Sequence, residues 1–362
     1  MLMRAGRGGR VGVRGGIVLL ASALIGAAAC SSTSTTAGGG SQKTVTFAGF
    51  FGVFQDQFTE AVIEPFEKQH PDIKVNFVPI KNSAEVLGKL RATKSRPDLD
   101  VALMDSSVAP TANTEGLFAQ LDPAKVGNLA NVDKAGRNGN WGPALTFDSL
   151  SILYNTKQVK TPPTSWNDLW DGAYKGKIAL PIADTRGVAL IVALEKIAGA
   201  NYQQSIDPAL NRLKQLAPNV QTWNPQPDVY TAIASGADSI GVGWNARGQI
   251  FNRTSKGALA TVQPKEGNVL QVNTINLVKN SPRADAAQQF IDYAISAPAQ
   301  EAFAKASYYA PTNTKATLPG DVLELTAQSK QQQANRIPID WAWITPRYSA
   351  WVDRIKREVI SE

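Results

Sequence analysis

Hydrophobic and polar positions along the chain switch between two periods. Residues 43–48 alternate, with Val45 and Phe47 against Thr44 and Thr46, the period of a strand with one buried face. Over 54–68 the spacing lengthens, and Phe58, Val62, Ile63 and Phe66 fall on one helical stripe that Pro71 closes. The exchange repeats with a strand at 73–78, a helix at 84–93 and a buried strand at 99–104 that runs into Asp105-Ser106-Ser107. A second series opens with a long strand pattern at 144–155. It continues with a strand at 177–181, a helix at 187–198 and a strand at 240–243 that ends at Trp244. Another strand-like stretch covers 270–278, and helices fit 284–295, 298–306 and 348–360. Strands alternating with helices predict an α/β fold with ligand-facing loops at the strand ends. Two such series predict two α/β units.

The first 29 residues follow neither period. Arg4, Arg7, Arg10 and Arg14 come first, with no acid among them. Residues 17–25 are apolar apart from Ser22, and small residues fill 26–29. The apolar stretch falls short of the ~20 residues that span a bilayer, and the pattern predicts a signal peptide over 1–29. Cys30 follows and is the only cysteine, so no internal disulfide can form. Its placement after small residues resembles a bacterial lipoprotein processing site, where the cysteine is acylated and becomes the mature N-terminus. Ala27 departs from that motif, which usually carries leucine there. An unmodified cysteine in an ordinary signal peptide stays open as the alternative. Residues 30–42 are rich in Ser, Thr and Gly and read as a flexible tether.

Composition removes several function classes. The chain has 362 residues, 43% hydrophobic and 19% charged, a globular balance with room for two domains. The formal net charge of +7 invites a nucleic-acid reading, but four of those charges lie in the leader and no dense basic run follows. No nucleic-acid partner is expected. His70 is the only histidine, and it precedes Pro71 at a helix end. One histidine and one cysteine cannot build the usual zinc sets, and no nucleophile elbow accompanies His70. Neither a phosphate loop nor a dinucleotide fingerprint occurs, since Gly241-Val242-Gly243 is only a tight strand end. The reading is a protein without catalytic residues, metal or cofactor. An exported enzyme using paired carboxylates is the alternative of another class.

Several spaced motifs resemble the bacterial extracellular solute-binding proteins, closest to their polyamine and ferric-iron receptors. The main one is Pro163-Thr164-Ser165-Trp166-Asn167-Asp168-Leu169-Trp170-Asp171 followed by Tyr174-Lys175-Gly176-Lys177-Ile178. Pro65-Phe66-Glu67-Lys68 with Ile73-Lys74-Val75, Ser151-Ile152-Leu153-Tyr154-Asn155, Pro264-Lys265-Glu266-Gly267, Phe290-Ile291-Asp292-Tyr293 and Pro311-Thr312-Asn313 agree in order. The resemblance covers roughly 43–355. It implies a periplasmic-binding-protein-like bilobal fold of type II, with a small-molecule solute held between two α/β lobes that close about a hinge. It also implies delivery of the solute to an ABC permease in the membrane. The first lobe would be 43–149 plus 276–313, the second 156–269 plus 314–362, and the hinge crossings 150–155 and 270–275. No heptad pattern is evident, so a monomer is expected. Trp166, Leu169 and Trp170 are expected to pack in a core despite their diagnostic value.

Carried over position by position, the resemblance implies a cleft made by Phe50, Phe51, Ser106, Ser107, Asp184, Trp244, Asn245, Arg247, Gln271, Asn273 and Tyr309. Trp244 matches a ring-stacking tryptophan, Tyr309 a cleft tyrosine and Ser106 or Ser107 a cleft hydroxyl. Asp184 matches an amine-binding carboxylate, or it caps the helix that follows. Gly187 stands where the polyamine receptors carry a second carboxylate. Gln271 and Asn273 replace a tryptophan and an aspartate. Arg247 would bring positive charge near the cleft or sit solvated on a helix face. No tyrosine pair occupies Trp244-Asn245, which does not fit ferric iron. A desolvated amine missing a charged partner loses on the order of 2–5 kcal/mol. The expected ligand is therefore less cationic than spermidine: neutral, zwitterionic or anionic. A polyamine stays open as the alternative.

Overall fold

The computed structural model describes residues 42–360; the leader, Cys30 and the tether before Gln42 lie outside the described residues. The strands are β1 (Lys43–Phe50), β2 (Ile73–Ile80), β3 (Val101–Asp105), β4 (Phe118–Ala119), β5 (Ala144–Asn155) and β6 (Ile178–Ala179). They continue with β7 (Val220–Thr222), β8 (Ile240–Trp244), β9 (Leu259–Val262), β10 (Asn268–Val278) and β11 (Arg336–Ile337). β2, β1 and β3 run parallel, and β10 joins β3 antiparallel. In the other half β7, β6 and β8 run parallel, with β5 antiparallel to both β8 and β9. The fold is bilobal and α/β, and each lobe has its own core.

One core gathers Phe47, Phe54, Phe58, Phe66, Ile73, Leu103, Phe290 and Phe303. Several of these rings meet edge to face, as at 5.5 Å for Phe47–Phe290, while Phe54 and Phe58 stack at 5.4 Å, both geometries favoured by the ring quadrupole. Phe54, Phe58, Val62 and Phe66 reach it from one helical run, Val53–Phe58 and Glu64–Gln69 joined by a π turn at Thr59–Ile63. His70 ends that run and lies on the ring of Phe66 at 4.7 Å, a packing role. The other core gathers Ile152, Trp166, Ile178, Leu190, Leu213 and Ile240, with Trp341, Ile344 and Trp351 from the tail.

β5 and β10 connect the halves. β5 is buried along all twelve residues. It pairs with β10 over 144–149 and with β8 and β9 over 150–155, so it changes sheets between Ser149 and Leu150. β10 pairs with β11 at Asn268 and Val269, then with β5, then with β3. The two strands form an antiparallel ribbon crossing from one core to the other.

The tryptophan motif and the Pro264–Gly267 motif meet in space. Ser165 and Asp168 form a capping box on the short helix Trp166–Trp170. The Glu266 carboxylate accepts from Ser165 Oγ and, at 3.1 Å, from Trp166 N. The fully buried Trp166 donates its Nε1–H to the Gly267 carbonyl at 2.9 Å. Gly267 has φ +108°, and a Cβ there would lie 1.9 Å from the Asn335 carbonyl oxygen, so only glycine fits. Both motifs therefore brace the start of β10.

The helices that the sequence pattern does not predict include Asp207–Leu216, Val229–Ser235 and Asn245–Thr254. Among the described residues no helix is long and apolar enough to cross a membrane.

Candidate functional site

The register of the ribbon decides which side chains share a face. Gln271 lies opposite Asp148, and Asn273 opposite Thr146. Directly opposed residues point the same way, and alternate residues point to opposite faces. Thr146, Asp148, Gln271 and Asn273 therefore make one polar face. Phe147 and Leu270 point to the other, where they pack with Ala144, Ala310 and Ala327.

Groups from both lobes meet at Gln271 on this face. Asp105, Ser106 and Ser107 arrive at the end of β3, Trp244 at the end of β8, and Thr185 at the start of the helix Thr185–Ile197. With Gln271 they line a cavity of about 10 Å³, room for about one water. A larger cavity of about 450 Å³ lies behind the ribbon, lined by Asn113, Val272, Thr274, Arg336 and Trp341 among others. Its ribbon residues belong to the face of Leu270 and Val272. Ser106, Val272 and Trp341 line both cavities; the small one gathers the strand-end groups Asp105, Ser107 and Trp244 together with Gln271, which makes it the candidate cleft.

Most cleft charges are already paired. Asp184 caps the helix Thr185–Ile197 through Arg186 N at 2.8 Å and forms an ion pair with the Arg186 guanidinium. The helix-capping role weighed for it is thus present, and its carboxylate also holds Arg186. Arg247 pairs with Asp228 at 2.9 Å and lies over the rings of Tyr230 and Phe251 at 4.9 and 5.7 Å. The positive charge expected from Arg247 is neutralised locally. Asp105 is held at both oxygens, by Ser83 Oγ at 2.8 Å and Gln271 Nε2 at 3.2 Å. Burial pushes its carboxyl above the usual range, against those two donors.

Asp148 differs. It is 1% exposed, and its Oδ1 accepts from Ser149 N at 2.7 Å and Ala246 N at 2.9 Å. Ala246 opens the helix Asn245–Thr254, so the carboxylate faces the positive end of that helix. Its Oδ2 is buried without a partner. Burial pushes the carboxyl up to about 7, against the pull of the backbone donors of Ala246, Ser149 and Asn245. Gln271 Oε1, Asn273 Oδ1 and Ser107 Oγ are likewise buried and unpartnered. Asn273 Nδ2 donates to Thr146 Oγ1 at 2.9 Å.

The aromatic members divide. Trp244 is partly buried, lines the small cavity and donates its N–H to the Tyr230 hydroxyl at 2.7 Å. Burial pushes that Tyr230 hydroxyl up to about 12. Tyr309 stacks on Phe303 at 5.9 Å and meets Phe54 edge-on. Burial first, then the Asp148 charge, raises its hydroxyl. Phe50 packs on Phe54 at 5.8 Å as part of a core, whereas Phe51 is 59% exposed. Asn245 is fully buried and its amide is engaged, donating to the Leu325 carbonyl and accepting from Gln249 and Thr261. Ser106 N–H donates to the Val272 carbonyl at 2.8 Å. Ser106, Ser107, Trp244 and Gln271 thus meet at one cavity, with Asn273 on the same ribbon face. Phe50, Asn245 and Arg247 are held by other parts of the protein.

Asp148, Asp105 and Tyr230 were not singled out from the sequence. An acid inside a run as apolar as Leu145–Leu153 was the available signal for Asp148, because a buried carboxylate needs a partner.

A profile described as bacterial extracellular solute-binding protein matches residues 61–331. The γ-aminobutyric acid-binding protein of Pseudomonas aeruginosa is 26% identical over 337 residues, covering 86% of this chain and 92% of that protein. The spermidine/putrescine-binding periplasmic protein of Escherichia coli is 24% identical over 255 residues, covering 67% and 71%. Among solved structures, an ABC transporter protein from Clostridium perfringens superposes with a TM-score of 0.71 at 26% identity, covering 87% of this chain and 99% of that one. An extracellular solute-binding protein from Bordetella parapertussis superposes with 0.74 at 24% identity, covering 88% and 99%.

Proposed function

The chain belongs to the bacterial extracellular solute-binding proteins and is a solute-binding receptor for an ABC importer, and from that premise we propose that its ligand is a small organic solute less cationic than spermidine. The observation that carries this reading is the state of Asp184 and Gly187. Asp184 already holds Arg186. A Cβ at Gly187 would lie 1.8 Å from the Ile182 carbonyl oxygen, which leaves no space there for a second acid. The cleft keeps few carboxylates for cations, too few for a triamine. The relatives that match are transport receptors, one of them for γ-aminobutyric acid. A polyamine is the second reading, favoured by Asp105 and Asp148, neither of which has a cationic partner. It requires Asp105 to release Gln271.

Closure would pivot on the crossings at 150–155 and 270–275, where β5 changes sheets and β10 leaves β11. Export through the 1–29 signal peptide and acylation at Cys30 would tether a monomeric receptor outside the cytoplasmic membrane, beside its permease. No catalytic step is assigned to it.

The test is thermal unfolding against spermidine, putrescine, γ-aminobutyrate, amino acids, sugars and carboxylates. A ligand at 100 times its Kd adds about 2.7 kcal/mol. A shift with spermidine that exceeds all others refutes the reading. Fractionation after palmitate labelling tests the anchor: Cys30→Ser should lose the label and leave the membrane fraction.

A further inference from the structure

The polar face of the ribbon holds three oxygens without a donor among the described residues: Asp148 Oδ2, Gln271 Oε1 and Asn273 Oδ1. Asp148 and Gln271 are direct partners across the strand pair, and Asn273 follows two residues on, on the same face. All three atoms are acceptors. A buried acceptor without a donor is unfavourable, and three on one face call for a donor-rich guest. One water, which is all the adjoining 10 Å³ admits, donates only two hydrogen bonds. A protonated primary amine donates three and carries the charge that Asp148 lacks a partner for. The partly buried Trp244 lines the adjoining cavity and adds an aromatic ring, which also favours a cation.

We propose that Asp148, with Gln271 and Asn273, is the seat of a single primary ammonium group on the solute. The inference rests on the ribbon's polar face being the ligand cleft. It names the ligand class as a solute with one primary amine at that end. Asp105 offers no second seat, because both its oxygens are engaged. The neighbouring acid–base pairs, Asp184–Arg186 and Asp228–Arg247, cancel within themselves. The role of Asp148 at the helix Asn245–Thr254 uses Oδ1 alone, which leaves Oδ2 for the guest.

Acid should oppose capture, because a proton on Asp148 competes with the ammonium. Around this carboxyl stand the backbone donors of Ser149, Asn245 and Ala246 and the hydroxyls of Tyr230 and Tyr309. Asp105 and Arg247 lie within electrostatic reach of Tyr309. Asp105, also raised by burial, is the other carboxyl that could respond, and the Asp148→Asn variant separates the two; the amine itself stays protonated throughout. With the carboxyl near 7, the ionised fraction falls about tenfold from pH 8 to pH 6.

The experiment is calorimetric titration of the purified chain with γ-aminobutyrate and putrescine, and with their amine-free counterparts glutarate and 1,4-butanediol, at pH 8 and pH 6. Wild type should bind an amine probe about tenfold more weakly at pH 6. Asp148→Asn, which keeps the Oδ1 acceptor, should lose at least tenfold at pH 8 and show no pH dependence. Equal affinity at the two pH values, or an Asp148→Asn affinity within twofold of wild type, overturns the proposal. If that variant does not fold, the wild-type pH pair and Asn273→Leu decide in the same way. Binding confined to glutarate or butanediol overturns the amine seat and leaves the receptor reading intact. No binding to either amine probe at pH 8 overturns the amine seat.

Discussion

Replacing Asp148 by asparagine should make the ligand-free protein more stable at pH 8. The carboxyl moves from the ordinary 3.8 to about 7 on folding, chiefly through burial. The folded state therefore binds more protons than the unfolded chain between about pH 4 and pH 7. Stability falls as pH rises through that window, and above pH 7 the full deficit is present. That displacement corresponds to roughly 4 kcal/mol. Asparagine retains an oxygen for Ser149 N and Ala246 N but places an Nδ2 donor where Oδ2 was. The unpartnered Gln271 Oε1 stands directly across the strand pair to receive it. If that bond forms imperfectly, part of the gain is lost, leaving about 2–4 kcal/mol. At roughly 2 °C per kcal/mol for a chain of this size, the melting midpoint should rise by about 4–8 °C. The assay is thermal unfolding of both proteins without solute at pH 8, pH 5 and pH 4. The gap should shrink by roughly 3 kcal/mol from pH 8 to pH 5 and by close to 4 at pH 4, where the folded carboxyl is protonated and the unfolded one is about half protonated. A variant no more stable than wild type at pH 8, or a gap independent of pH, would refute the claim that a desolvated carboxylate sits there. The stabilisation should be accompanied by loss of amine binding, the pattern expected where a site stores an unfavourable group for its ligand.

Other residues give sharper structural tests. Gly187→Ala should lower the melting midpoint by at least about 5 °C, since its Cβ meets the Ile182 carbonyl at 1.8 Å and backbone must move. A midpoint within 1 °C of wild type would show that the helix start has slack. Trp166→Phe should cost about 1–3 kcal/mol in denaturant unfolding, through the lost bond to Gly267 and the lost volume, with solute affinity unchanged. Arg247→Ala should change stability by no more than about 1 kcal/mol, because its ion pair with Asp228 is more than half exposed on the arginine side. It should leave affinity for anionic solutes unaltered, and a large loss of glutarate binding would mean that Arg247 is freed on closure.

The α/β character and the order of the elements were legible because periods two and 3.6 are local properties, clear at Lys43–Phe50 and again at Phe58–Phe66. Local pattern fails where a strand loses its alternation. β5 is buried on both faces, so Asp148 sits in it as a lone acid with no periodic meaning. Its significance comes from a register with Gln271, more than a hundred residues away, and from the helix end at Ala246. The helix Asn245–Thr254 was missed for a related reason: its sequence is mostly polar, and Ile250 and Phe251 are too few to mark a stripe. Position-by-position resemblance located Ser106, Ser107, Trp244 and Gln271 at one cavity, because strand ends are set by the fold. It could not say which charges would remain available. Asp184 and Arg247 read from sequence as ligand groups of opposite sign, yet each finds a partner inside the chain. The ligand's charge is therefore set by what is left unpaired after internal pairing, not by the number of acids and bases near the cleft. By that measure one carboxylate oxygen on the ribbon outweighs the arginines, and it favours one positive charge on the solute.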